Sequence, residues 1–149
     1  MSDLNELYRE LIIDHGRHPR NVGTNKSANH IKEGFNPLCG DKLTLYLLEE
    51  ENTIRDIKFN ASGCAISVAS ASMMSELLMG KTIEEAEALF QTFHQLVTEN
   101  STETDSTCLG KLNVLAGVSQ FPARVKCATL AWHTMRAALH NSSEQVSTE

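Results

Sequence analysis

Two side chains that bind metals well, Cys39 and Asp41, stand two residues apart in the run Asn36-Pro37-Leu38-Cys39-Gly40-Asp41. Pro37 biases Asn36 toward extended backbone, and Gly40 permits a positive φ. A tight loop can therefore turn the thiolate and the carboxylate toward one point. A structural zinc ion takes four ligands, so two are not enough. The pattern places two further cysteines at helix starts: Cys64 after Gly63, and Cys127 about one turn into the last helix. A helix N-terminus favours the metal-binding thiolate at Cys64. A hairpin running from Cys39 to Cys64 would bring its two ends together. Cys127 joins them only if its helix docks there. The gaps between these cysteines are too wide for a zinc finger. On the residues alone, a Cys/Asp/Cys/Cys metal site stands beside a plainer reading, in which Cys64 and Cys127 are buried small hydrophobes. Cys108 follows a polar stretch and reads as an incidental thiol. His94, His133 and His140 sit at no ligand position and read as satisfied or solvent-facing.

The elements that must position these residues follow from periodicity. Leu4, Leu7, Tyr8, Leu11 and Ile12 recur at helical spacing, with Asp3 as the expected N-cap and a stop near Gly16. The polar bend His15–Asn21 reads as a solvated loop, with a partner-contact surface as the sharper alternative. Leu43, Leu45 and Leu47 alternate with polar residues, and Ile57, Phe59 and Ala61 do the same after a turn at Glu49–Asn52. This predicts an antiparallel hairpin with one covered face, in which Ile54 breaks the phase. A short strand around His30–Lys32 would add an edge. A helix from Cys64 to about Met79 carries Ile66, Ala69, Met73 and Leu77 on one side. Its Ala71, Ser72 and Ser75 let something pack close. Thr82 and Glu85 form a capping box for a helix with the apolar face Ala86, Leu89, Phe90, Phe93, Leu96 and Val97. Glu99–Thr107 is a polar loop, and Leu109–Val118 a short apolar helix. The last helix starts near Pro122 and buries Val125, Ala128, Trp132, Met135 and Leu139. Residues 141–149 form a polar tail expected to be flexible.

Composition narrows the function classes. The chain of 149 residues is expected to form a single domain, with 41% hydrophobic and 21% charged residues. A net charge of −6 gives no basic footprint for nucleic acid. No apolar run approaches a membrane span, and no secretory signal is visible, so a cytoplasmic location is the default expectation. In that reducing compartment four cysteines read as ligands or reactive thiols in preference to disulfides.

Three segments resemble the motifs of the U-type iron–sulfur cluster assembly family, which includes the IscU, SufU and NifU N-terminal branches. They are Asn36-Pro37-Leu38-Cys39-Gly40-Asp41, then Gly63-Cys64-Ala65-Ile66-Ser67 with Ala69-Ser70-Ala71-Ser72, and Arg124-Val125-Lys126-Cys127. Asp14-His15 and His18-Pro19-Arg20-Asn21 are similar to the family's first-helix exit. The resemblance runs from Leu4 to about Leu139. It implies an α+β fold: a three-stranded antiparallel sheet with about five helices packed mainly on one side. It also implies a metal site of Cys39, Asp41, Cys64 and Cys127.

The scaffold branch carries His directly before its last motif cysteine, whereas this chain has Lys126. Together with extra residues between Glu99 and Phe121, this is similar to the SufU branch. That branch implies a zinc-dependent sulfur acceptor whose partners are a PLP-dependent cysteine desulfurase and a downstream iron–sulfur assembly scaffold. Cys39 would then be the persulfide acceptor. Three thiolates and a carboxylate on Zn²⁺ would leave a formal charge of about −2. Arg124 and Lys126, beside Cys127, would offset part of it, and Arg124 is counted with Cys39 and Asp41 among the acting residues. Iron or a transient iron–sulfur cluster on the same ligands is the alternative.

Overall fold

Leu43, Leu45 and Leu47 carry the clearest alternation in the chain, and all three are buried under helices. The computed structural model describes residues 2–37, 40–99, 107–140 and 146–147. The elements run α1 (Ser2–Arg17), β1 (His30–Asn36), β2 (Asp41–Glu50), β3 (Thr53–Ser62), α2 (Ala65–Leu78), α3 (Ile83–Glu99), a 3-10 helix (Thr107–Gln120), α4 (Pro122–Leu139) and β4 (Val146–Ser147). The α+β class is as expected. Strand β2 lies between β1 and β3, antiparallel to both, and the helices cover the leucine face. The two-residue β4 pairs parallel with β1 at Gly34 and Phe35. The rest of the tail expected over 141–149 lies outside the described residues, as does the polar loop over 100–106.

The hairpin's phase break has a physical cause. A bulge between Leu48 and Glu49 pairs Leu48 with Asp56 and Glu49 with Ile54, leaving Arg55 without an opposite residue. The extra residue lets both Ile54 and Ile57 face the core, where neither is exposed. The turn is tighter than Glu49–Asn52. Glu50 pairs with Thr53, and Glu51 and Asn52 both take positive φ, the signature of a type I′ turn.

The helices correct several sequence expectations. Asp3 is not the N-cap of α1, which begins one residue earlier. His15 is not in a solvated loop: it lies in the last turn of α1, fully buried, its Nδ1 2.7 Å from Ser72 Oγ. Ser72 Oγ also accepts the Arg20 N–H (2.9 Å), and Asn21 Nδ2 donates to Ser75 Oγ (2.9 Å). The small side of α2 thus receives the exit of α1 through these paired polar groups. The strand expected at His30–Lys32 runs on to Asn36, because its pairing with β2 continues to Asp41. The apolar segment near Leu109–Val118 is a 3-10 helix broken at Gly110.

Other expectations hold. Thr82 and Glu85 cap α3 reciprocally, and the six apolar residues of its face are buried. Helix α4 is buried on more sides than its predicted stripe, since Leu130, Ala131 and Ala138 are also covered. It lies directly on β1: a Cβ at Gly34 would come 2.1 Å from Thr134 Oγ1. Ser70 Oγ ties α2 to α4 by donating to Ala128 O at 2.6 Å. No helix among the described residues is long and apolar enough to cross a membrane.

Candidate metal centre

Three elements end at one place. Strands β1 and β2 close on each other with Asn36 opposite Asp41. Gly40 N–H donates to Asn36 O (2.8 Å), and Gly40 takes φ +74°. Lys42 pairs with Ser62, so the end of β3 brings Gly63 against Asp41. A Cβ on Gly63 would fall 2.2 Å from Asp41 Oδ1, and its φ is +142°. Only glycine satisfies both conditions. Cys64 follows as the N-cap residue of α2, without a side-chain cap of its own. Asp41 Oδ1 accepts the Cys64 N–H at 2.8 Å, so the carboxylate serves the positive end of α2 from another strand.

The docking of α4 on β1 supplies Cys127. One ligand atom each from Asp41, Cys64 and Cys127 lies within 4.8 Å of the other two. Asp41 and Cys127 are fully buried, and Cys64 is half-buried. The Cys127 thiol donates to Ala123 O at 3.6 Å. The docking condition left open by spacing alone is therefore met, and these three side chains form the only group of three metal-ligating residue types found among the described residues. Two thiols and a carboxylate at this spacing fit a tetrahedral zinc or iron ion that takes one further ligand. Cys39 lies outside the described residues; one residue of chain, Gly40, separates it from Asp41.

Arg124 is exposed on the first turn of α4, three residues before Cys127 and so on the same side of the helix. Lys126 is half-buried. Cys108 is exposed and outside the group. His94 and His133 pack against the Phe90 ring, and His140 pairs with Glu87, so all three are away from the centre. A cavity of about 640 Å³ on the open sheet face, lined by Phe35, Lys42 and Asn60 among others, shares no residue with the three-ligand group.

Sequence reasoning overlooked two residues here. Asn36, to which the sequence assigns only an extended backbone and a place in the motif, is fully buried, and its Nδ2 donates to Asp41 Oδ2 (3.0 Å) and Cys127 Sγ (3.6 Å). The available signal was an amide directly before Pro, at the end of a strand and opposite an acid. Gly63 was seen as a helix opener, not as the gap Asp41 occupies.

Comparison with known proteins agrees with this arrangement. The sequence profile of the NifU-like N terminal domain matches residues 7–128. A Bacillus subtilis protein named zinc-dependent sulfurtransferase SufU is 40% identical over 134 residues, 90% of each chain. A Streptococcus pyogenes protein named iron–sulfur cluster assembly scaffold protein IscU is 39% identical over 145 residues, 96% of this chain and 89% of that one. A crystal structure described as a candidate iron–sulfur cluster assembly scaffold for the SUF system of Fervidobacterium islandicum AW-1 superposes with a TM-score of 0.82. It is 37% identical and covers 87% of this chain and 94% of that one. With its fold, its convergent Asp41, Cys64 and Cys127, and a family match over most of its length, the chain belongs to the IscU/SufU/NifU N-terminal family of iron–sulfur cluster assembly proteins.

Proposed function

We propose that this chain is a zinc-dependent sulfur acceptor, a protein-to-protein sulfurtransferase of iron–sulfur cluster assembly. It takes sulfane sulfur from a PLP-dependent cysteine desulfurase onto Cys39 and delivers it to a downstream assembly scaffold in the cytoplasm. The observation that carries this reading is the clustering of Asp41, Cys64 and Cys127, with Cys39 joined to Asp41 through a single glycine. The likeness to the Bacillus sulfurtransferase over nine-tenths of both chains supports the choice of zinc. So does Lys126, which stands where the scaffold branch resembled above has His.

Asp41, Cys64, Cys127 and Cys39 would hold the metal. Bound zinc supplies a redox-inert positive centre that keeps thiolates deprotonated at neutral pH. The chain's own residues do the rest. Of the three ligand cysteines only Cys39 belongs to a Pro- and Gly-containing stretch of sequence and not to a helix start, so it is the one assigned to leave the group and meet a partner. Its thiolate attacks the outer sulfur of the desulfurase persulfide. A new S–S bond forms on Cys39, the old S–S bond breaks, and the desulfurase cysteine departs as a thiolate. No net oxidation occurs. Asp41, Cys64 and Cys127 stay in place. Arg124, exposed three residues before Cys127 on α4, would offset part of the charge of the thiolate-rich centre and meet the docking partner.

Scaffolding is the second reading, favoured by the 39% identity to the Streptococcus scaffold protein. Metal analysis of protein purified without oxygen separates the two. One zinc per chain in a colourless protein supports sulfur transfer. Iron with acid-labile sulfide in a brown protein supports scaffolding and refutes the zinc acceptor.

A further inference from the structure

We propose that Asn36 is a positioning residue of the metal centre, joining Asp41, Cys64 and Cys127 into one hydrogen-bonded frame that holds independently of Cys39. This rests on the reading that the centre binds metal. A primary amide nitrogen carries two hydrogens. Asn36 Nδ2 has two acceptors in reach, Asp41 Oδ2 at 3.0 Å and Cys127 Sγ at 3.6 Å. Both acceptors bear negative charge when a metal is bound, so only the nitrogen end of the amide can face them. Asp41 carries the connection onward, because its other oxygen accepts the Cys64 N–H at 2.8 Å. The chain Cys64–Asp41–Asn36–Cys127 thus crosses α2, β2, β1 and α4.

The donors and acceptors of these bonds all belong to Asn36, Asp41, Cys64 and Cys127. A frame of this kind keeps three ligands at metal-binding spacing while the fourth is away, which a transfer reaction on Cys39 requires. Hydrogen bonds to ligand atoms fix their orientation and tune their donor strength, and removing such a partner typically weakens metal binding about 10- to 100-fold. An N–H bond to a thiolate also lowers the energy of the sulfur lone pairs. Its loss should move sulfur-to-metal charge transfer to lower energy.

The test uses the full chain with Asn36→Leu, which keeps the approximate shape and lacks both donors. Asn36→Ser serves in its place if Asn36→Leu does not fold. Zinc affinity is measured by competition with a chromophoric chelator. Melting is compared with and without zinc, and Co²⁺-loaded protein is examined by absorption. The expected result is zinc binding about 10- to 100-fold weaker, a smaller zinc-induced rise in melting temperature, and a red-shifted thiolate-to-Co²⁺ band. A merely structural role would lower apo and zinc-loaded melting equally and leave the band unmoved, and that result overturns the proposal. Zinc affinity within twofold of the parent also overturns it. If the parent chain takes up neither zinc nor Co²⁺, or Cys64→Ala takes them up undiminished, the metal-centre reading itself fails and this inference with it.

Discussion

Replacing Gly63 by alanine places a methyl group where Asp41 already is. The Cβ would lie 2.2 Å from Asp41 Oδ1 and 2.9 Å from Asp41 Cα. The strand cannot retreat without breaking the pairing of Asp41 with Asn36. The carboxylate must therefore rotate, losing its bond to the Cys64 N–H, a charge-assisted bond of about 1.5–3 kcal/mol. Holding a residue with a side chain at φ +142° adds about 1–3 kcal/mol. The combined cost is roughly 2.5–6 kcal/mol. For a chain of this size that lowers Tm by roughly 5–24 °C, at about 2–4 °C per kcal/mol. Gly40→Ala is the control. Gly40 also has positive φ, but no atom of the described residues beyond its chain neighbours lies within 4 Å of its Cβ position. It should cost only backbone strain, about 1–2 kcal/mol, and keep its zinc. The assay is thermal melting by circular dichroism with zinc content measured on the same samples. A Gly63→Ala protein that melts within about 2 °C of the parent and keeps full zinc would refute the reasoning. So would a Gly40→Ala protein damaged as severely as Gly63→Ala.

Cys64→Ala and Cys127→Ala should each lose zinc and the stabilisation it confers, about 2.7 kcal/mol at free zinc a hundredfold above Kd, or roughly 5–10 °C. Cys108→Ser should lose neither, and zinc loss there would show that the wrong thiol has been chosen. His15 has its pKa lowered, chiefly by burial and next by Arg20, against an opposing pull from Glu76; Lys111 and Asp14 are its other charged neighbours. A histidine depressed in the fold contributes stability above its unfolded pKa of about 6.5 that is lost as pH falls. Apo protein should therefore melt progressively lower below about pH 6.5, with a slope of at most about 1.4 kcal/mol per pH unit from this group. His15→Gln should flatten that slope, leaving the part due to His133, which burial also depresses. An unchanged slope would mean that His15 does not titrate with folding.

The fold was legible where one periodicity ruled an entire element. The β2 leucines and the apolar face of α3 read directly as buried sides, because each packs against a single layer. The break of phase at Ile54 was legible too, although the sequence did not show that its cause is a bulge between Leu48 and Glu49. The segment around His15 misled. His15 is buried, and Arg20 and Asn21 half-buried, where they pair with Ser72 and Ser75, partners more than fifty positions away, and local composition does not announce such a match. The ligand residues Asp41, Cys64 and Cys127 were nameable from their types, and more firmly from the motif resemblance. Their convergence was not, since it depends on how closely α4 sits on β1, a distance set by Gly34 against Thr134. Asn36 escaped notice because its task is done through other residues' atoms.

The central claim is that sulfur is received on Cys39. The direct measurement is to incubate the zinc-loaded chain with a cysteine desulfurase and cysteine, then map sulfur adducts by mass spectrometry of intact protein and peptides. The account predicts a gain of one sulfur atom on Cys39, abolished in Cys39→Ser while docking to the desulfurase persists. A gain confined to Cys108, or undiminished sulfur acceptance in Cys39→Ser, would contradict it.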